Sequence, residues 1–351
     1  MCGVDTGRTV DEKPAPKRPG TRTRTRTRTR GKALAVAAVL TALLTAFPGL
    51  VPDTAGNPGS LLETFRPWTG PAVPVLLLLA LLRRSRLAAA ATLLPAAVWL
   101  GLFGPALLAG GGAGDGDRGG GEGRGDGRPG ALTVVQHNAS DENPDPAGTA
   151  RALAEAGPDV LALQELLPGA LPAYRRALAA DYPHHAVVGT VGLWSKHPLS
   201  GTRPVDIRPE GLGADWNRGM RTVARTPHGP VAVYVAHLPS VRITPVDGFA
   251  SDRRDESAAA LGRAVAAEEL DRVVLLGDLN GVAGDRALAP LTSRLRPAHE
   301  AAGRGFGLTF PAAFPVVRID QVMVRGLTPV RAWTLPATGS DHLPVAARLA
   351  P

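Results

Sequence analysis

One cysteine stands in the 351 residues, Cys2 in a polar stretch, which excludes an intrachain disulfide and says nothing about the redox compartment. No G-x-S-x-G turn occurs, so the nucleophile elbow of serine hydrolases is excluded. Residues 131–351 have no charge excess, with 22 Lys+Arg against 22 Asp+Glu, which leaves 17 against 9 in residues 1–130. The net charge of +8 and the pI near 10.4 therefore come entirely from the N-terminal part, whose first 32 residues alone hold 10 basic and 3 acidic side chains. A nucleic-acid enzyme carries its basic excess on the domain that grips phosphates. Here the excess lies beside apolar segments, where it is a topology signal.

Residues 1–32, with five Thr-Arg repeats between Thr21 and Arg30, lack any core-forming pattern and are expected to be a disordered basic cytoplasmic tail. Residues 33–109 are almost wholly apolar and hold three candidate transmembrane runs, 33–51, 67–82 and 87–109. The middle run is the short one, and Pro71 and Pro74 interrupt its start. Arg83, Arg84 and Arg86 follow it, and the positive-inside rule places them on the same side as the tail. Three crossings put everything after residue 109 outside the cell; a re-entrant middle segment leaves it inside. Residues 110–130, rich in Gly with mixed charges, read as a flexible linker.

From Ala131 the texture changes. Short β-rich runs at 132–137, 160–164, 186–194, 221–225, 231–237, 272–276, 318–324 and 345–349 alternate with helical stretches at 146–156, 170–180, 251–270 and 285–295. Such interleaving points to an α/β or α+β domain of about 220 residues, large enough to bury its own core.

Polar residues fall repeatedly at the ends of these runs. LTVVQHN ends in Asn138, DVLALQE in Glu165, VAVYVAH in His237, and RVVLLGDLN in Asp278 and Asn280; RID starts a strand with Asp320, and TGSDHLP carries Asp341 and His342 just before the last strand. Polar groups delivered at strand ends converge on one sheet edge, where α/β sites form. Each also has a plainer reading. Glu165 is the first residue past a buried strand, 278–281 reads as a turn, Ser340 reads as a helix cap, which Pro344 argues against, and His237 alone reads as a structural histidine. Eight in this order are not explained that way.

The ordered set QE, GDLN, RID and SDH resembles the endonuclease/exonuclease/phosphatase superfamily of DNase I-like nucleases, inositol polyphosphate phosphatases and neutral sphingomyelinases. The likeness spans residues 131–350 and implies a four-layer α/β sandwich of two β-sheets flanked by helices, here preceded by N-terminal transmembrane helices. It also implies a metal-dependent hydrolase in which Glu165 ligates Mg²⁺ or Mn²⁺, Asn138 orients that shell, and Asp341 completes it or a second position. Asp278 would align or deprotonate the attacking water, with Asn280 holding water or a phosphate oxygen. Asp320 would keep His342 charged, and His237 would help the leaving oxygen depart. The sequence departs from the family pattern at His137 and Gln321, where the family often has an aromatic residue and Tyr or His.

The layout resembles the membrane-anchored actinobacterial group that includes the VanJ teicoplanin-resistance protein. The expected substrate is a phosphoester or pyrophosphate of an envelope or lipid-linked molecule at the outer face. A tethered extracellular nuclease is the alternative, with Arg218, Arg221 and Arg225 as its basic patch, and a catalytically dead binding module is a third reading.

Overall fold

Runs that are apolar without alternation, such as VLALQ and VVLLGD, demand cover on both faces of their sheet. The computed structural model describes residues 22–108 and 130–351; the expected tail up to residue 21 and most of the glycine-rich linker lie outside the described residues. Five helices come first: α1 (Arg22–Ala46), α2 (Pro58–Thr64), α3 (Ala72–Leu82), α4 (Arg86–Ala91) and α5 (Leu93–Leu108). The sheets and their helices follow as β1 (Leu132–Asn138), α6 (Pro146–Glu155), β2 (Val160–Gln164), α7 (Leu171–Leu178), β3 (His184–Val188), β4 (Val191–Ser195), β5 (Leu199–Pro204), β6 (Gly219–Thr226) and β7 (Gly229–His237). The chain continues through β8 (Arg242–Thr244), β9 (Gly248–Ala250), α8 (Asp252–Ala266), β10 (Val273–Asp278), α9 (Ala289–Thr292), β11 (Arg296–Pro297), α10 (Ala298–Ala302), β12 (Asp320–Arg325), β13 (Thr328–Thr334) and β14 (Val345–Ala350).

Two mixed six-stranded sheets result, ordered β13-β14-β1-β2-β4-β3 and β11-β12-β10-β7-β6-β5, with β8 and β9 as a separate ribbon. The parallel pairs β1–β2 and β7–β10 lie at the centres, and the strands beside them run antiparallel. Each parallel pair needs a crossover, which α6 and α8 supply. Alternate side chains divide between the two faces of each sheet. Val134, Val160 and Leu193 of the first sheet meet Val233, Val274 and Leu276 of the second in the inner core. On the outer faces, Val135, Leu161 and Trp194 pack on Leu153, Tyr174 and Leu178, while Tyr234 and Leu275 pack on Ala258, Leu261 and Val265. At about 1.5–3 kcal/mol for each large buried side chain, these three clusters are the main stabilising contribution.

The N-terminal helices form an up-down-up bundle. Gly31 packs directly on Ser85, so the start of the apolar part of α1 and the turn between α3 and α4 share one end. At the other end Thr45 Oγ1 donates to Thr69 Oγ1 (3.0 Å), Arg66 Nε donates to Thr45 O (2.8 Å), and Gly305 N donates to Ala106 O (3.0 Å). The sheet domain thus docks on the end away from Ser85. Asn57 Nδ2 donates to Asp252 (2.8 Å), Ser60 Oγ donates to Asp285 (3.0 Å), Arg286 pairs with Glu63 (2.9 Å), and Trp68 Nε1 donates to Val316 O (2.8 Å). One described helix, Arg86–Leu108, is long and apolar enough to cross a membrane. The pair Pro58–Thr64 and Arg66–Leu82 bends by 81°, and the apolar stretch Gly31–Ala46 is shorter.

Several elements differ from the sequence expectation. The single strand at 186–194 is the hairpin β3–β4, because Gly189 takes a left-handed φ of 55° and reverses the chain. Edge strands β5 and β13 carry too many polar residues to show an apolar pattern. The helix expected at 285–295 breaks into a 3₁₀ turn and the four-residue α9, and that expected at 251–270 stops at Ala266. From Arg22 onward the Thr-Arg repeats lie within α1 and not in an unstructured tail.

Candidate active site

The strand directions explain why the chosen side chains meet. The parallel strands β1, β2, β7 and β10 end at one edge of the sandwich, and the antiparallel strands β12 and β14 begin there. In register, Asp278 stands opposite both His237 and Asp320, and Asn138 opposite Gln164, the residue before Glu165.

Six of the eight side chains form one contact network. Asn138 Nδ2 donates to Glu165 Oε1 (3.1 Å) and to Asp278 Oδ2 (3.0 Å), bridging the two carboxylates. Glu165 takes a left-handed φ of 56°, strained for a residue with a Cβ, and its Oε2 accepts from the Asp141 N–H (3.0 Å). His342 Nδ1 meets Asp320 Oδ2 at 2.9 Å, and its Nε2 lies 3.8 Å from Asp278 Oδ2. His237 Nε2 lies 3.6 Å from Glu165 Oε1 and 3.8 Å from Asp278 Oδ2. Asn280 acts here through its backbone, whose N–H donates to Asp278 Oδ1 (2.9 Å), while its Nδ2 donates to Leu238 O (2.9 Å). Asp341 does not join the network: its side chain is exposed at the rim, and its carbonyl accepts from the Ala312 N–H (2.6 Å).

Burial and charge give the members opposite tendencies. Burial lowers the proton affinity of His342, but Asp320 and then Asp278 outweigh it and raise its pKa to about 10. Burial favours a proton on Asp320, yet the charge and hydrogen bond of His342, helped by the Gln136 amide, hold it below its ordinary value. Asp278 is pushed up to about 7 by burial, with Asp320 adding to the rise and His342 opposing it. Burial, then the Arg218 charge, depress His237 to about 3. One histidine is thus a lasting cation and the other neutral at physiological pH.

Four contributors escaped the sequence reading. Gln136 Nε2 donates to Asp320 Oδ1 (2.7 Å) from inside β1. Arg218 Nη1 lies 3.3 Å from His237 Nδ1, and because arginine only donates, the imidazole proton sits on Nε2. The Phe310 ring lies 4.8 Å from that of His342, and Ser340 Oγ donates to Asn138 O (2.7 Å) while accepting from the His342 N–H (3.0 Å). From the sequence Arg218 reads only as part of a basic patch, and the contacts of Gln136, Phe310 and Ser340 join residues far apart along the chain, which leaves no spacing signal. Of the remaining arginines of the expected basic patch, Arg221 is held by Glu268 in a two-point pair (2.9 and 2.9 Å), and Arg225 Nε donates to Ser200 Oγ (3.2 Å).

The donor set suits a hard dication. Glu165, Asp278 and Asp320 bring three carboxylates to one edge without a thiolate, and ligand atoms of Asp278, Asp320 and His342 lie within 4.8 Å of one another. His237 Nε2 is buried without a hydrogen-bond partner among the described residues, as a group facing an absent ligand would be.

The profile of the Endonuclease/Exonuclease/phosphatase family matches residues 111–342, about two thirds of the chain. Among solved structures, an endonuclease/exonuclease/phosphatase from Beutenbergia cavernae is similar at 21% identity and a TM-score of 0.52, covering 63% of this chain and 72% of its own. D. rerio TDP2 complexed with a single-strand DNA product is similar at 18% identity and 0.52, over 63% and 99%. Beta toxin from Staphylococcus aureus is similar at 16% and 0.51, over 62% and 99%. At these identities the likeness establishes the fold. No curated protein matches the chain significantly. With the profile match, the two-sheet sandwich and the Asp320–His342 edge together, the chain belongs to the endonuclease/exonuclease/phosphatase family.

Proposed function

We propose that this protein is a membrane-anchored, divalent-metal-dependent phosphohydrolase that cleaves a phosphoester or pyrophosphate of an envelope or lipid-linked substrate outside the cell. The observation that carries the reading is the joining of Asn138, Glu165, His237, Asp278, Asp320 and His342 in one network at the sandwich edge. Glu165 would hold the Mg²⁺ or Mn²⁺ ion with Asn138 orienting it, and exposed Asp341 stands free to complete that shell or a second one. When bound, the ion supplies Lewis-acid polarisation of a phosphoryl oxygen.

The chain's own groups account for the rest. Asp278, aligned by the Asn280 N–H and the Asn138 amide, takes the proton of the attacking water; its pKa of about 7 suits a base at neutral pH. His342, kept protonated by Asp320, offers its Nε2–H to the charge that develops on the non-bridging oxygens. His237, neutral with its proton on Nε2, donates a hydrogen bond toward the leaving oxygen. Asn280 retains its amide oxygen for the water or a phosphate group.

The bundle supports the location. The Arg83–Arg86 turn shares an end with Gly31, next to the basic tail, while the catalytic domain docks on the opposite end. Under the positive-inside rule this arrangement fits three crossings with the catalytic domain outside, as does the resemblance to the VanJ teicoplanin-resistance group. A nuclease remains the second reading, favoured by Arg218 at the site and the DNA-bound TDP2 likeness. The use of Arg221 and Arg225 in internal contacts counts against it.

The test is to assay the full-length protein with Mg²⁺ on plasmid DNA, a sphingomyelin-like diester and a polyprenyl pyrophosphate. Turnover of a lipid substrate that Asp278→Ala and His342→Ala each abolish supports the reading, whereas rapid plasmid cleavage with no lipid turnover refutes it. A C-terminal alkaline phosphatase fusion that stays inactive in cells would overturn the topology.

A further inference from the structure

Two cavities lie at the seam between the N-terminal helices and the catalytic domain. The outer one, about 540 Å³, is walled by Trp68, Val73, Trp99, Leu100, Phe306 and Leu308. The inner one, about 500 Å³, shares Pro67, Phe306 and Leu308 with it and continues along Phe103, Ala106 and Val316. Each is large enough for a small ligand; the outer lining is apolar, and the inner one is apolar around Phe306 and Leu308 but carries Glu63, Arg66, Glu300 and Arg318 elsewhere on its wall.

The outer cavity is continuous with the exposed apolar surface of the helices. Trp68 and Leu100 line it while remaining 44% and 58% exposed, and the same helices expose Leu78, Leu81 and Leu93. The lining of the inner cavity neighbours the catalytic edge along the chain. Its wall at residues 282–284 starts two positions after Asn280, and Arg318 in the same wall stands two positions before Asp320. Arg318 Nη1 donates to Phe306 O (3.0 Å) and Nη2 reaches Glu300 (3.4 Å), but its buried Nε has no partner among the described residues. A buried guanidinium N–H without an acceptor is costly and suits a phosphate or other anionic head passing at that end. The segment 110–130 of this chain is Gly and charged residues with one Ala and one Pro, and offers no large apolar side chain to fill such a cavity.

We infer that this pair of cavities holds the hydrocarbon chain of the phosphorylated substrate, so that the substrate reaches the catalytic edge laterally from the apolar belt of the helices. The inference rests on the phosphohydrolase reading above and names the feature of the substrate that this protein selects: one long hydrocarbon chain carrying a phosphate group. Each buried methylene should tighten binding about fourfold.

The test uses the full-length protein in phosphatidylcholine nanodiscs. In the first arm, kcat/KM is measured for a hexadecyl p-nitrophenyl phosphodiester and for soluble bis(p-nitrophenyl) phosphate. Ala96→Phe and Ala106→Phe, which fill the outer and inner cavity, should each lower the hexadecyl-to-soluble selectivity at least tenfold. In the second arm, a brominated octadecyl phosphate should quench the Trp68 and Trp99 fluorescence saturably in the wild type and without saturation in the variants. Unchanged selectivity overturns the inference, as does saturable quenching by brominated phosphatidylcholine at equal concentration, which would make the occupant a structural lipid. Saturable phosphate quenching in a protein that hydrolyses neither ester leaves the chain site standing and refutes the phosphohydrolase reading. Ester hydrolysis with only linear quenching does the reverse.

Discussion

Asp320→Asn keeps the shape of the side chain and removes the charge that holds His342 protonated. In the wild type His342 is raised to about 10 and Asp278 to about 7, so kcat/KM should rise as Asp278 loses its proton, stay level, and fall as His342 loses its own. The apparent values belong to the coupled set. Without Asp320, burial returns His342 toward its ordinary value of 6.5 or below. At pH 8 only about 3% of the imidazole would then be charged, a loss of about 30-fold from protonation alone. Asp278 loses the like charge of Asp320 but also the larger opposing pull of a charged His342, so the movement of the optimum toward acid, about two pH units, comes from His342. Stability follows the same linkage. The raised His342 pKa contributes stability that is fully present below 6.5 and lost as pH rises through about 10, while the lowered Asp320 contribution is present above 3.8 and fades below it. The wild type should therefore exceed the variant in stability most between these two ordinary values, and the gap should close toward pH 10. The assay is kcat/KM for a chromogenic phosphodiester from pH 5.5 to 10 with saturating Mg²⁺, circular dichroism confirming the fold. An unmoved optimum with less than a threefold loss would refute the assignment of His342 as the lasting cation.

Other predictions concern the metal and the scaffold. EDTA should abolish activity, Mg²⁺ or Mn²⁺ should restore it, and Glu165→Gln should raise the metal concentration needed for half-maximal rate at least tenfold; activity that survives exhaustive chelation sinks the metal assignment. Glu268→Gln breaks the two-point pair to Arg221 and weakens the contact with the Tyr234 hydroxyl (2.9 Å), so urea titration should show a loss of about 3 kcal/mol with the catalytic pH profile unmoved. Arg254 is buried between Asp285 (2.8 Å) and the Asn280 carbonyl (3.1 Å). Arg254→Leu should cost about 3–5 kcal/mol and lower kcat by disturbing the Asn280 loop, and a stable, fully active variant would contradict both effects.

How much of this was legible beforehand depends on the kind of interaction. The central strands could be read from the sequence because burial on both faces makes β2 and β10 apolar at nearly every position, and their boundaries move by a residue or two at most. The chemistry could be read because strand ends deliver polar residues in a fixed order, so Glu165, Asp278 and His342 stand out against apolar runs. The edge strands β5 and β13 could not, since solvent on one side permits any polarity.

What the amino-acid order determined by itself was the division of the chain into apolar, glycine-rich and α/β segments, the sheet core, and the residue types at the catalytic edge. Periodicity and composition act locally, so each can be recognised within a short window. Tertiary structure alone decided that Gln136 and Arg218 contact Asp320 and His237, that Glu165 sits in a left-handed backbone, and that Asp341 stays at the rim. It also decided that the N-terminal helices and the loops of the sheet domain enclose two cavities, one apolar and one of mixed lining. These features depend on which strands and helices become neighbours, and that is set by the summed packing of the whole domain and not by any one segment.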